Sequence, residues 1–539
     1  MALTETPSDQ LMESKRVCVV GAGISGLVTC KYLLEKGFRP VVFESSRSIG
    51  GVWASPLGST RLQTPTDYYR FTDFPWPESV TGVPNHRQVM EYLEAYARRF
   101  DLIKHVRFGE KVVGLDYVGS DLEEMAVWDL WGRSGDAFAG DGRGVWNITV
   151  EKDDGATAEH VMDFVIICLG RFSGLPNIPD FPKNRKNKGP EVFVFNGKVI
   201  HSMDLANMGS TAAMEFVNGK RIVVIGFLKS ALDIAAECAD INGVDLPCTM
   251  IVRTKRWNVL DFSVCGIPFS YYCCTRFSEL LFHKPGEGTI LSLLATMLTP
   301  LRWVISKIVE SYIKKITPIE KYGMVPDHSF FEAASSILVA ILPEKFYERV
   351  NNKSILLKHS KKFEFCQDGV ILEGESVPIK ADLVIFATGY KGDQKLRNIF
   401  KSPSIQEIVT GSSENTVPLY RECIHPRIPQ MAIIGYSESY SNLYTSEIRA
   451  MWLSYFLKGG FRLPRIKLME EDVKEWDKYM KKYSREHYRR SSIGVIHIWY
   501  NDQLCKDMGY NPRRKKWFLP ELFMPYGPND YVGLGSKME

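Results

Sequence analysis

The stretch "RVCVVGAGISGLVTCKYLLEKGF", Arg16 to Phe38, decides the fold. Its β-branched apolar run, Val17 to Val20, reads as a buried strand, and the segment after Gly26 carries apolar residues at helical spacing. Between them, Gly21-Ala-Gly23-Ile-Ser-Gly26 is a tight turn in which each glycine has a mechanical role. Gly21 makes the turn, Gly23 lets backbone approach a pyrophosphate, and Gly26 lets the helix pack on its strand. The helix N-terminus then faces the anion. The next strand, "PVVFE", ends on Glu44, twenty-three residues after Gly21, where a carboxylate accepts hydrogen bonds from ribose hydroxyls. Strand, glycine turn, helix and acid-ended strand together predict a dinucleotide site.

The design recurs further along. "GKRIVVIGFLKSALDIAAECADING", from Gly219, reads as a strand over 222–225, a turn at Gly226 and a helix through Asp233 and Cys238. Leu228 stands where the middle glycine would admit phosphate, and Ala231 replaces the last glycine, so binding here is expected to be looser or differently posed. The following strand, "CTMIVRTKRW", ends on Arg253, Lys255 and Arg256. Arginine there suits the 2′-phosphate of NADPH and disfavours NADH; a solvated basic turn is the alternative.

Two fully apolar strands end in glycine, "DFVIICLG" (163–170) and "ADLVIFATGY" (381–390), and read as crossing points between the two units. The expected fold is therefore α/β with two Rossmann-like dinucleotide-binding domains, an NADPH domain inserted within a discontinuous FAD domain. The expected division is a disordered tail over 1–15, a first flavin part over 16–205, a nicotinamide domain over 206–380 with an apolar insertion near 258–343, and a second flavin part with a C-terminal extension over 381–539. Two dinucleotides in one chain imply electron transfer between them, most simply hydride from NADPH to FAD.

Composition fits this. The 539 residues, 45% hydrophobic and 24% charged, suit a multidomain globular protein, and a net charge of +4 gives no electrostatic case for nucleic acid. The basic run "NPRRKKW" (511–517) reads as a solvated face. Eleven cysteines without CxxC spacing exclude a metal site or a redox dithiol by pattern and suggest a reducing compartment. "TILSLLATMLTPLRWVISKIV" (289–309) is interrupted by Pro300, Arg302 and Lys307, which argues against a transmembrane span. It reads as a buried helix pair, with a monotopic membrane-contacting segment or a substrate lid as alternatives.

"FNGKVIHSMDL" (195–205) matches at Phe195, Gly197 and His201 the motif FxGxxxH of the flavin-containing monooxygenase family, which the whole chain resembles. "GGVW" (50–53), "DFPWP" (73–77) and "FATGY" (386–390) add to the likeness. Leu205 departs from the family's aromatic residue, and Gln63 stands where many members have asparagine by the flavin. The ending "DMGYNPRRKKWFLPELFMPYGPNDY" looks like the plant branch, in particular its members that N-hydroxylate pipecolic acid in systemic acquired resistance, a plant defence.

The resemblance implies a cycle in which NADPH reduces FAD, the reduced flavin and O2 give a C4a-hydroperoxyflavin, and a nucleophilic nitrogen or sulfur of a small molecule takes the distal oxygen. It implies that Gly21, Gly23, Gly26, Glu44 and Gly51 hold FAD, that Trp53 walls the flavin, and that Gln63 acts beside it. Gly226 and Ser230 would meet the NADPH pyrophosphate and Arg253 its 2′-phosphate, with Thr388 and Gly389 also at the cofactors. A cytoplasmic protein, in peripheral contact with the endoplasmic reticulum surface, is the matching location. A Baeyer–Villiger ketone oxygenase, a flavin disulfide reductase without its CxxC, and a non-catalytic NADPH/FAD-binding protein are the rivals.

Overall fold

The computed structural model describes residues 14–138, 144–179, 195–412, 417–488 and 492–534. The expected N-terminal tail lies, up to residue 13, outside them. Two five-stranded parallel sheets organise the chain. Their strands are β1 (Val17–Val20), β2 (Val41–Glu44), β3 (Val106–Phe108), β4 (Phe164–Ile167), β5 (Lys198–His201), β6 (Ile222–Ile225), β7 (Cys248–Val252), β8 (Ile355–His359), β9 (Leu383–Phe386) and β10 (Met431–Ile433).

The first sheet runs β10-β4-β1-β2-β3 and the second β8-β7-β6-β9-β5. Within each, the glycine-turn strand lies between its successor and a later strand, the arrangement that right-handed crossovers impose on a mononucleotide-binding half. The central strands are buried on both faces, which is why they read as continuous apolar runs rather than as alternation. The second sheet lies in sequence between β4 and β10 of the first, so the inserted arrangement is present. The boundaries at 205/206 and 380/381 do not match the sheets, however. Lys198–His201 pairs in parallel with Leu383–Phe386, and that strand pairs with Ile222–Ile225, so both flanks of the range 206–380 belong to the second sheet.

Helix α1 (Ile24–Glu35) follows β1, and α2 (Lys229–Asn242) follows β6. Between β7 and β8 lies the apolar insertion, with a bent helix pair, α3 (Thr289–Met297) and α4 (Thr299–Ile316), meeting at 45°. After β10, helix α5 (Asn442–Leu457) is buried along almost its whole length and packs on α1. The C-terminal extension adds helices Ile466–Ser484 and His497–Asp507 to the same core. Arg276 of the insertion ties the two regions together, its guanidinium donating to Asp502 and Glu521.

The helix pair departs from the buried reading. In α3 only Ala295 is buried, while Ile290, Leu293 and Met297 are exposed, as are Leu301, Trp303, Val304 and Ile308 in α4. The apolar residues are too many for one stripe: Val309 and Ile313 enter the second core, Leu298 and Ile305 lean on the first, and the exposed ones lie on neither face. Among the described residues no single helix is long and apolar enough to cross a membrane. The basic run at 511–517 is only partly solvated, since Arg514 donates to the Asp530 carbonyl and Lys515 pairs with the Asp530 carboxylate. The adjacent Cys273 and Cys274 are buried as small core side chains.

Candidate functional site: two glycine turns facing one junction

At the first turn, Gly21 has φ +103°, a conformation open to glycine, and a side chain there would meet the Cys168 carbonyl oxygen at 3.0 Å. At Gly26 a Cβ would lie 1.8 Å from the Gly21 carbonyl oxygen, so only glycine lets α1 start this close to its strand. Gly23 faces Gly51 across a gap in which a Cβ on Gly51 would sit 3.2 Å from the Gly23 Cα. Helix α1 starts at Gly23 with no side-chain cap, leaving first-turn N–H groups for an outside partner.

Glu44 ends β2 beside this turn and is buried. It accepts the Ala22 N–H at 2.6 Å and the Ser46 N–H at 2.8 Å, which aim the carboxylate along the loop and leave lone pairs on both oxygens. Trp53 closes the Gly51 turn, half-buried, with its ring edge-on to Tyr69 at 6.4 Å. The structure thus brings Gly21, Gly23, Gly26, Glu44, Gly51 and Trp53 into one wall.

Two contributors escaped the sequence reading. Gly435, at φ +82°, lies so close to the first turn of α1 that a Cβ would fall 2.0 Å from the Ser25 Oγ. Its signal was present: "IIGY" is a third apolar strand ending in glycine. Lys395 donates to the Leu169 carbonyl at 2.8 Å and to the Ser173 hydroxyl at 2.9 Å. Burial pushes its ammonium down to about 8, against the opposing charge of Glu44. No local pattern marks it, because it comes from a helix distant in sequence.

The second turn is built the same way with looser parts. Gly226 has φ +140°, and a Cβ would meet the Ala387 carbonyl oxygen at 2.6 Å. Ala231 is buried below it, so one methyl is accommodated where the first turn has Gly26. Leu228 occupies the position before α2, where Gly23 stands before α1, and leans into the second core. Ser230 is exposed in the first turn of α2. Lys229 binds Asp233, whose carboxyl burial pushes up to about 6.

Arg253 is exposed directly after β7. Beside it, at the end of β8, His359 is held below its ordinary value by burial and by the charges of Lys255 and Lys361. Several cations therefore share this edge, and Lys361 was not foreseen. Thr388 and Gly389 follow β9; the Thr388 hydroxyl donates to the Asn177 carbonyl, and the Asn177 N–H donates to Gly389 at 2.9 Å. These two residues join the second turn to the strand exit of the first sheet.

Gln63 lies where the units meet. Its Oε1 accepts the Ile341 N–H at 3.0 Å, fastening the loop after Gly58 to the insertion, while the Ser59 N–H donates to Glu237 of α2 at 2.8 Å. The motif "FNGKVIH" has packing reasons. A Cβ on Gly197 would strike the Phe195 ring at 2.3 Å, and His201 caps helix Ser202–Asn207 through Nδ1 while its ring meets Tyr390 edge-on at 5.3 Å. Leu205 is buried in the second core.

The model of the family described as "FMO-like: Flavin-binding monooxygenase-like" matches residues 14–525. "Probable flavin-containing monooxygenase 1" of Arabidopsis thaliana is 40% identical, over 96% of this chain and 96% of that protein. A solved structure of OTEMO in complex with FAD and NADP matches with TM-score 0.63 at 18% identity, over 93% of this chain and 99% of the other. An open structure of cyclohexanone monooxygenase matches with TM-score 0.60 at 19% identity, over 93% and 99%. At such identities these structures speak to the fold. The sequence matches carry the family: this chain belongs to the flavin-containing monooxygenases and is an enzyme of that class.

Proposed function

We propose that this protein uses FAD and NADPH to place one oxygen atom from O2 on the nucleophilic nitrogen of a small amine in the cytoplasm, with pipecolic acid as the substrate to test first. The observation that carries the reading is the pairing of two unlike turns. One ends on a buried carboxylate, Glu44, and the other on a cationic edge around Arg253, and the loop 58–63 bridges them. The two turns fit two different dinucleotides: Gly51, at φ +58° and with a Cβ that would sit 3.2 Å from the Gly23 Cα, keeps the first turn open, and the Arg253 edge suits a 2′-phosphate. When bound, the flavin accepts hydride from NADPH and activates O2 for transfer to a nucleophile.

The chain's own residues then have distinct tasks. Gly21, Gly23 and Gly51 give backbone N–H groups access to the FAD pyrophosphate, Gly26 holds α1 close to its strand so that its N-terminus faces that group, Glu44 accepts from the ribose, and Trp53 excludes water from one side of the site. Gly226 and Ser230 meet the NADPH pyrophosphate, and Arg253 and Lys255 bind its 2′-phosphate. Thr388 and Gly389 fix the approach of the second turn to the first. Gln63, held by Ile341, presents its amide at the junction where oxygen chemistry requires a fixed donor. An unprotonated amine is already a nucleophile, so no acid–base triad is required.

The 40% identical relative is a plant protein, in keeping with the plant branch; N-hydroxylation in plant defence rests on the resemblance of the chain's motifs and ending to that branch. Ketone oxygenation is the second reading, a chemistry that the cyclohexanone monooxygenase carries on the same fold. Leu205, buried in the second core, replaces an aromatic residue that both groups carry in this motif and so leaves the second reading open to test. A substrate panel tests the reading. Pipecolic acid should accelerate NADPH consumption and give an N-hydroxylated product by mass spectrometry, whereas cyclohexanone should do neither. Turnover of the ketone without the amine would replace this reading with the second.

A further inference from the structure

The segments that build the first turn are short of positive charge. Over 21–30 and 44–53 the only charged residues are Glu44 and Arg47, and Arg47 is exposed and pairs with Asp153 at 2.9 Å. A dinucleotide seated there brings a doubly negative pyrophosphate to the side of the Glu44 carboxylate. The N-terminus of α1 offers only a partial charge of about half a unit, which leaves most of that negative charge unmatched.

Lys395 is placed to match it. It lies on the short helix Gly392–Asn398, which follows β9 of the second sheet and yet packs on the first. Leu396 is buried in one core with Val20 and Ile167, and a Cβ on Gly392 would fall 2.5 Å from the Arg171 Cγ. The Tyr436 hydroxyl donates to the Gly392 carbonyl, and the Lys391 N–H donates to the Leu175 carbonyl at 2.9 Å. Fastened in this way, the helix carries the Lys395 ammonium to the exit of β4, where it donates to the Leu169 carbonyl at 2.8 Å and to the Ser173 hydroxyl at 2.9 Å. Leu169 follows Cys168, whose carbonyl closes on Gly21, so the ammonium stands next to the glycine turn.

An ammonium has three N–H donors. Two are used, and among the described residues nothing accepts the third. The opposing charge that faces it is Glu44 of β2. The other charged groups around it have partners or are exposed: Arg171 pairs with Asp393 at 3.8 Å, Arg397 donates to the Thr410 hydroxyl at 2.7 Å, and Lys391 is exposed.

We propose that Lys395 is a cofactor-binding residue whose third N–H donates to an anionic oxygen of FAD beside Glu44. The chain that leaves the second sheet thereby helps to hold the cofactor of the first. This rests on the reading of the first turn as the FAD site, and adds to it the cation that the local motif lacks. Burial lowers the Lys395 ammonium to about 8 before the cofactor is bound. Negative charge on FAD favours the protonated form, so affinity is full below about pH 8 and falls as pH rises above it.

The test follows flavin fluorescence as the full flavin-loaded protein is diluted, which gives the FAD dissociation constant without turnover. Lys395→Met keeps an apolar stem and removes the charge; it should raise that constant about 10- to 100-fold at about pH 7. The wild-type constant should rise about tenfold between about pH 7 and about pH 9, while that of Lys395→Met stays level. Ser173→Ala removes one of the two protein bonds to the ammonium and should change the constant by less than about threefold. Glu44→Gln is the control for the FAD site itself and should lose FAD. A Lys395→Met constant within about threefold of wild type, or a pH dependence that is absent from the wild type or kept by the variant, overturns the proposal. So does a loss in Ser173→Ala as large as that in Lys395→Met, because the lysine would then act only by tying the strand exit. If Lys395→Met and Glu44→Gln both keep FAD, the reading of the first turn falls together with the proposal. Loss of FAD in Glu44→Gln alone removes the proposal and leaves that reading in place.

Discussion

Arg253 and Gly435 show how differently single residues reveal themselves. Arg253 stands at the end of a strand in a repeated pattern, and its place after β7, at an edge shared with Lys255 and Lys361, follows from that repeat. Arg253→Ala should raise the KM for NADPH by about 10- to 100-fold, the worth of a charge-assisted hydrogen bond, and change that for NADH little; steady-state kinetics with both nucleotides checks this. Gly435 belongs to the other turn although it lies about four hundred residues downstream, and its role depends on contact with Ser25. Gly435→Ala should lose flavin, read as absorbance near 450 nm per protein, and Ser25→Gly in the same chain should restore part of it by removing the clashing hydroxyl. Only part returns, because φ +82° still costs alanine about 1–2 kcal/mol. Glu44 and the first three glycines stand out in the sequence because their spacing is local; Lys395 and Gly435 reach the same turn only through tertiary contacts, which leave no period in the chain.

At the scale of elements, the two turns and their strands were legible because parallel interior strands are uniformly apolar and the glycines between strand and helix are spaced by geometry. The helix pair was misjudged for the opposite reason. Apolar content alone does not say whether a face meets a core or remains outside, and α3 and α4 carry more apolar positions than their core contacts use. The edges of the second unit were misplaced because β5 and β9 join its sheet by pairing with each other, a long-range event. Gln63 is the element-level hinge of the account, pinned between loop and insertion. Gln63→Ala leaves the Ile341 N–H without its acceptor. It should raise hydrogen peroxide released per NADPH consumed while anaerobic flavin reduction by NADPH stays near wild type, measured by peroxide assay and stopped-flow absorbance. Peroxide yield equal to wild type would remove Gln63 from the oxygen site.

Across the whole molecule, the insertion and the C-terminal extension are joined through a buried carboxyl group. Glu279 accepts the N–H groups of Ile498 and Trp499 at the start of helix His497–Asp507, and burial raises its carboxyl to about 8. A carboxyl with a raised native pKa holds its proton in the folded state while the unfolded chain releases it, so its contribution falls as pH rises from about 4.5 to about 8. The melting temperature should therefore decline across that window, and Glu279→Gln should flatten the decline. An unchanged slope would place the pH dependence elsewhere, for example at Glu422 or Glu447, both raised to about 7 by burial.

The fold-level claim is that two dinucleotide turns, one closed by Glu44 and the other by Arg253, cooperate to put one oxygen atom on an amine. The direct measurement is a turnover of the flavin-loaded protein with NADPH and pipecolic acid under an atmosphere of ¹⁸O₂, followed by mass spectrometry. One labelled oxygen per product molecule, and close to one product per NADPH consumed, is the result predicted. NADPH consumption that yields only hydrogen peroxide, or a product oxygen drawn from water, would contradict it.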